Sequence, residues 1–178
     1  ELAGKRLALL KEVISQISRV AVLWNPDHAD PEFKEIQRQA EVLAVRVQSL
    51  EVRRGEDFES QFQNIIKGRP EAIIVVSSRL IQDNRVRILE FAAKQRLPVI
   101  GDWGRWAPDG ALLSYGPDTT KLASRLATYV DKILKGAKAG DLPIERPSKF
   151  ELVINLKTAK QLGLAIPPNV LARADRVI

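Results

Sequence analysis

The sequence has no cysteine, no methionine, one histidine and two tyrosines in 178 residues. Without cysteine there is no disulfide, no thiolate metal site, no redox pair and no cysteine nucleophile. With His28 alone, a histidine-rich metal site is excluded and a Ser/His/Asp relay has one candidate base. Long apolar runs are missing too. The longest, such as Ala72 to Val76, are strand-sized and well short of the about 18 residues that a membrane span needs. Lys and Arg total 28 against 22 acids, a formal charge of +6, but the basic residues share their segments with acids, so nucleic-acid binding has little support. No strand is followed by G-x-G-x-x-G, and neither G-x-x-x-x-G-K-[ST] nor G-x-S-x-G occurs, which removes the usual signatures of nucleotide binding and serine hydrolysis.

What remains is 45% hydrophobic and long enough for one substantial α/β domain, or one domain with part of a second. A chain of this size buries roughly 70% of the surface that its unfolded form exposes, so its core needs no metal staple. It begins at Glu1 and lacks methionine, which leads us to expect an excised or processed segment whose targeting signal lies outside it.

Leu7, Leu10, Val13 and Ile14 recur at helical spacing within Leu2 to Ser15, and the β-branched run Val20 to Leu23 follows. The alternation repeats. Helices are expected near Pro31 to Leu43, Asp57 to Ile66 and Ile81 to Lys94, and strands near Val45 to Val52, Ala72 to Val76, Pro98 to Ile100 and Ala111 to Ser114. Short apolar strands separated by helices predict a doubly wound, mostly parallel sheet covered on both faces, with strand order 2-1-3-4-5. After Tyr115 the regularity weakens. Gly116 to Asp118 reads as a turn and helix start, and Leu122, Leu126, Tyr129, Ile133 and Leu134 form an apolar stripe ending at Gly136. Ala137 to Pro147 reads as an extended connector, Phe150 to Leu156 as a strand, Lys157 to Leu162 as a short helix closed by Gly163, and Pro167 to Ala174 as a last helix. The stripe should pack poorly on the sheet and be covered by a second copy of the chain.

Ligands of parallel α/β sheets bind beyond the carboxyl ends of the strands. Those ends carry Trp24 and Asn25, Ser77 and Ser78, Asp102 and Trp103, and Ser114 and Tyr115, with Trp106 close behind Trp103. For any one aromatic here, core packing is the simpler reading, and turn or capping chemistry serves equally well for Asn25, Asp102 and the serines. Together they suit a small organic ligand held by stacking and a few directed hydrogen bonds, and an aspartate among them suits a ligand amine. His28, in the polar loop Asn25 to Pro31, reads as a solvated surface histidine. Asp102 as a phospho-acceptor would need an acidic magnesium-holding cluster after the first strand, where the chain has Trp24-Asn25-Pro26. No cofactor and no metal is expected.

The segments GKRLALLKE at 4–12, RVAVLWNP at 19–26 and LLSYGPD at 112–118 resemble the substrate-binding proteins of ABC importers that include the tryptophan-binding group. The match is most specific in YVDKILKGAK at 129–138, DLP at 141–143 and FELVINLKTAK at 150–160, with LGL at 162–164 and IPP at 166–168 in register. The resemblance implies an exported, periplasmic or lipid-anchored protein whose two lobes close on a ligand, as in type I periplasmic binding proteins, and which presents it to an ABC permease. By that analogy residues 1–116 are the second lobe with a lead-in helix. Residues 117–178 hold a return helix to the first lobe, a connector, the final strand and C-terminal helices. The first lobe's opening portion and the export signal would lie outside this chain. Trp103-Gly104-Arg105-Trp106 is individual to this sequence. The resulting expectation is a non-enzymatic receptor for an amino acid or related aromatic compound, with no nucleic-acid partner. Two alternatives stay open: the ligand-sensing domain of a signalling receptor, and an α/β enzyme working with carboxylates alone.

Overall fold

The computed structural model describes residues 2–28 and 31–178. Ala29 and Asp30 of the polar loop, and Glu1, lie outside the described residues. In chain order the elements are α1 (Leu2–Val13), β1 (Arg19–Trp24), α2 (Glu32–Val42), β2 (Arg46–Glu51), α3 (Asp57–Gly68), β3 (Ala72–Val75), α4 (Arg79–Asp83), α5 (Arg85–Lys94), β4 (Val99–Gly101) and β5 (Leu113–Pro117). Then come α6 (Thr119–Leu134), a 3-10 turn (Ala139–Asp141), β6 (Phe150–Ile154), α7 (Leu156–Leu162), α8 (Pro168–Leu171) and β7 (Arg176–Val177).

The strands form one sheet in the order β2-β1-β3-β4-β5-β6-β7. The first five run parallel, in the expected order 2-1-3-4-5. β6 turns back antiparallel along the whole of β5, from Leu113 opposite Ile154 to Pro117 opposite Phe150. Side chains alternate between faces along a strand, and the two cores follow from that period. Val20, Val22 and Ile74 face Leu7, Leu10 and Ile36 of α1 and α2, whereas Ala21, Leu23, Ile73 and Val75 face Phe58, Ile65 and Ile88 of α3 and α5. Burial on both sides explains why β1 and β3 are continuous apolar runs.

Three local expectations are corrected. The helix expected over Ile81 to Lys94 is broken at Asn84, whose side-chain amide donates to the Leu80 carbonyl at 2.9 Å and competes with the helical ladder. Gly116 and Pro117 belong to β5 and not to a turn. A Cβ at Gly116 would lie 1.4 Å from the Asp102 carbonyl oxygen, so only glycine lets the β4 exit and β5 approach this closely. The helix start stands where expected, with Asp118 Oδ1 accepting from the amides of Thr120 and Lys121 at 3.0 and 3.1 Å. The last helix is only Pro168–Leu171, and the chain ends in β7, which leaves no period because it is two exposed residues long.

α6 has no buried residue. Leu126 is 67% exposed and Ile133 44%, while Leu122 and Tyr129 are half-buried by the connector that follows. Tyr129 donates its hydroxyl to the Pro143 carbonyl at 2.6 Å, and Arg125 Nε donates to Glu145 at 2.5 Å. Between helix and connector runs an apolar groove of about 710 Å³.

Candidate functional site

Beyond the carboxyl ends of β3 and β4 lies a cleft of about 820 Å³. Its wall is built by the loops after those strands, with α1 and the start of α2 closing one side. Of the predicted residues Ser77, Ser78, Asp102 and Trp103 line it. Asp102 is only 2% exposed, and Gln82 Nε2 reaches its Oδ1 at 3.3 Å. Burial pushes its carboxyl above the usual carboxylate range, while the positive charge of Arg6 and a hydrogen bond with Ser77 work in the opposite direction. Ser77 also accepts from Trp103 Nε1 at 3.0 Å, which holds the indole against the cleft with 39% of the residue exposed. Ser78 caps α4, its hydroxyl accepting from the Ile81 amide at 3.2 Å.

The other four predicted residues do not line this cleft. Trp24 stacks on Phe33 with ring centroids 4.1 Å apart and donates to Ser49 at 2.9 Å, so it closes the core edge. Asn25 accepts from the Asp27 amide at 2.9 Å, an Asx turn. Ser114 is fully buried within β5, its hydroxyl without a partner among the described residues. Tyr115, its neighbour, points to the opposite face, as the two-residue period requires. It lies 6.4 Å from Phe150 in a separate pocket of about 430 Å³ beside α1. Nor does Trp106 contribute to an aromatic rim: it is fully buried on Gly101, where a Cβ would come within 2.1 Å of its side chain. One aromatic therefore faces the cleft where the strand ends suggested four.

Sequence reasoning missed the charged floor. Arg6 is 1% exposed, and its fork donates to both oxygens of Glu32 at 2.7 and 3.0 Å while Nε donates to the Tyr115 carbonyl at 3.0 Å. One side chain thus joins α1, α2 and β5 where the chain leaves the sheet for α6. The signal was present: Arg6 sits on the same helical face as Ala3, Leu10 and Val13, a charge in an apolar stripe. His28 is exposed, as expected, yet it also borders the cleft. Among the described residues no cluster of three or more His, Cys, Asp or Glu could hold a metal ion, and no helix is long and apolar enough to cross a membrane.

A buried carboxylate beside a half-exposed indole, at the carboxyl ends of parallel strands, is where α/β proteins take small molecules. The comparisons with known proteins agree on the class: the chain belongs to the ABC transporter substrate binding protein family, whose model matches residues 1–178. It is 20% identical over 162 residues to a tyrosine-binding protein of Clostridioides difficile strain R20291, covering 90% of this chain and 47% of that one. Two solved structures share the fold with TM-scores of 0.89: a conserved domain protein of Vibrio cholerae, 25% identical, and an ABC domain of Streptococcus pneumonia in complex with L-Trp, 24% identical. Each match covers 99% of this chain and 60% of the other. The chain thus spans about half the length of its curated relative.

Proposed function

We propose that this chain is the second lobe and return segment of an extracytoplasmic solute receptor for an ABC importer, taking an aromatic amino acid or related compound between two lobes without altering it. The observation that carries the proposal is the cleft in which buried Asp102 stands beside Ser77 and Trp103. An ammonium group of the ligand would answer the carboxylate, the indole would stack on the ligand's ring, and Ser77 and Gln82 would fix its orientation. The relatives whose names specify tyrosine or L-Trp lend the ligand class its support. In this account α6 and the connector belong to the face that meets the first lobe, which accounts for a helix with no buried residue. Lobe closure over the ligand would then be the signal presented to the permease. The test is mass spectrometry of the complete protein, purified natively and then denatured. Release of a small aromatic amine or amino acid is expected, and release of a ligand with neither ring nor amine would refute the proposal.

A further inference from the structure

Four arginines border the cleft, and three have partners within the protein. Arg6 is held by Glu32 and the Tyr115 carbonyl, Arg79 donates to Asp83 at 2.8 Å, and Arg85 donates to Asp109 at 2.6 Å. The fourth is Arg105, exposed on the loop between β4 and β5, whose side chain makes no ion pair and no hydrogen bond among the described residues. Its backbone is nonetheless fixed. Trp106 is buried immediately after it, the Trp106 amide donates to the Trp103 carbonyl at 3.0 Å, and the Arg105 carbonyl accepts from Asp109 at 3.2 Å. A firmly held loop thus presents a guanidinium with no protein anion to meet it, three residues from the buried carboxylate of Asp102.

We infer that Arg105 reads the carboxylate of the ligand and makes the cleft selective for amino acids over the corresponding amines. The inference rests on the proposed function and goes one step further, assigning the second charged end of a zwitterion. Asp102 offers a negative group deep in the cleft, Arg105 a positive one at its border, and Trp103 lies between them in the chain as an apolar wall. A planar guanidinium fork matches a carboxylate with two parallel hydrogen bonds, which a lysine cannot do. No other arginine on the cleft is without a protein carboxylate, so the task falls to this one.

The test is calorimetry on the complete protein with L-tryptophan and L-tyrosine, set against tryptamine and tyramine, which keep ring and amine but lack the carboxylate. The parent should prefer the amino acids. Arg105→Ala should weaken their binding roughly 10- to 100-fold and leave the amines within about twofold, and Arg105→Lys should recover part of the loss. Equal amino-acid affinity in parent and Arg105→Ala, or an equal loss for amino acids and amines, overturns the inference while leaving the proposed function standing. A parent that binds none of the four compounds removes the inference, whereas the proposed function is then decided by the ligand that the native protein releases.

Discussion

The parallel sheet and the segment that follows it are built on opposite terms. Every residue of β3 is buried, and each of its apolar side chains meets a helix on one face or the other. α6, four times as long, buries none, and what shields Leu122 and Tyr129 is its own connector. Both are strongly patterned, so pattern alone does not say whether a face is satisfied within the chain. The difference teaches that amphipathic patterning and burial are separate matters: α6 leaves the parallel part of the sheet without packing on it, and what its apolar face meets belongs to the proposed function.

The comparison breaks most severely at Gly116, which belongs to the satisfied part. Gly116→Ala places a methyl 1.4 Å from the Asp102 backbone oxygen, and we expect a loss of more than about 4 kcal/mol in urea unfolding, since neither strand can move without unpairing. Ile74→Ala, at a fully buried position, should cost about 2–5 kcal/mol.

Asp102→Asn should act in the opposite sense. Because burial raises the folded-state carboxyl above its unfolded value of 3.8, the unfolded chain loses its proton first as pH rises, and stability falls through that window. The asparagine variant should therefore be the more stable of the two near neutral pH, with the advantage vanishing below about pH 3.8, where both states are protonated. Parallel melting curves across pH would show it.

The smallest effect is at Leu126→Ala, expected to change the stability of this chain by less than about 0.5 kcal/mol because the side chain is 67% exposed. In the complete protein the same substitution should cost more than about 1 kcal/mol if α6 meets the first lobe. An equally small effect there would leave the return segment without its proposed role.

The sheet was legible because doubly buried strands have to be apolar runs, and their spacing by helices leaves few topologies. β7 and the Asn84 break were not, since two exposed residues carry no period and an asparagine inside a helical pattern carries no fixed meaning. At the site, strand ends located the loops but not the direction of each side chain. Ser114 and Tyr115 are adjacent in sequence and face opposite sides, and of the two tryptophans of one loop Trp106 is buried on Gly101 while Trp103 is held at the cleft by Ser77. Partners decide which aromatic is core and which is wall, and partners are not written in spacing. Arg6 is a different kind of miss, a charge on a buried stripe whose signal was in the spacing and went unread.

The account turns on Asp102 as the group that receives a ligand amine, and titration calorimetry of L-tryptophan and L-tyrosine into the complete protein and its Asp102→Asn variant tests that most directly. The account predicts that the parent binds at least one of them, that affinity falls on acidification at a pH above the ordinary aspartate range, and that the variant binds roughly 10- to 100-fold more weakly with that pH dependence gone. A variant that binds as tightly as the parent across the same pH range would contradict it.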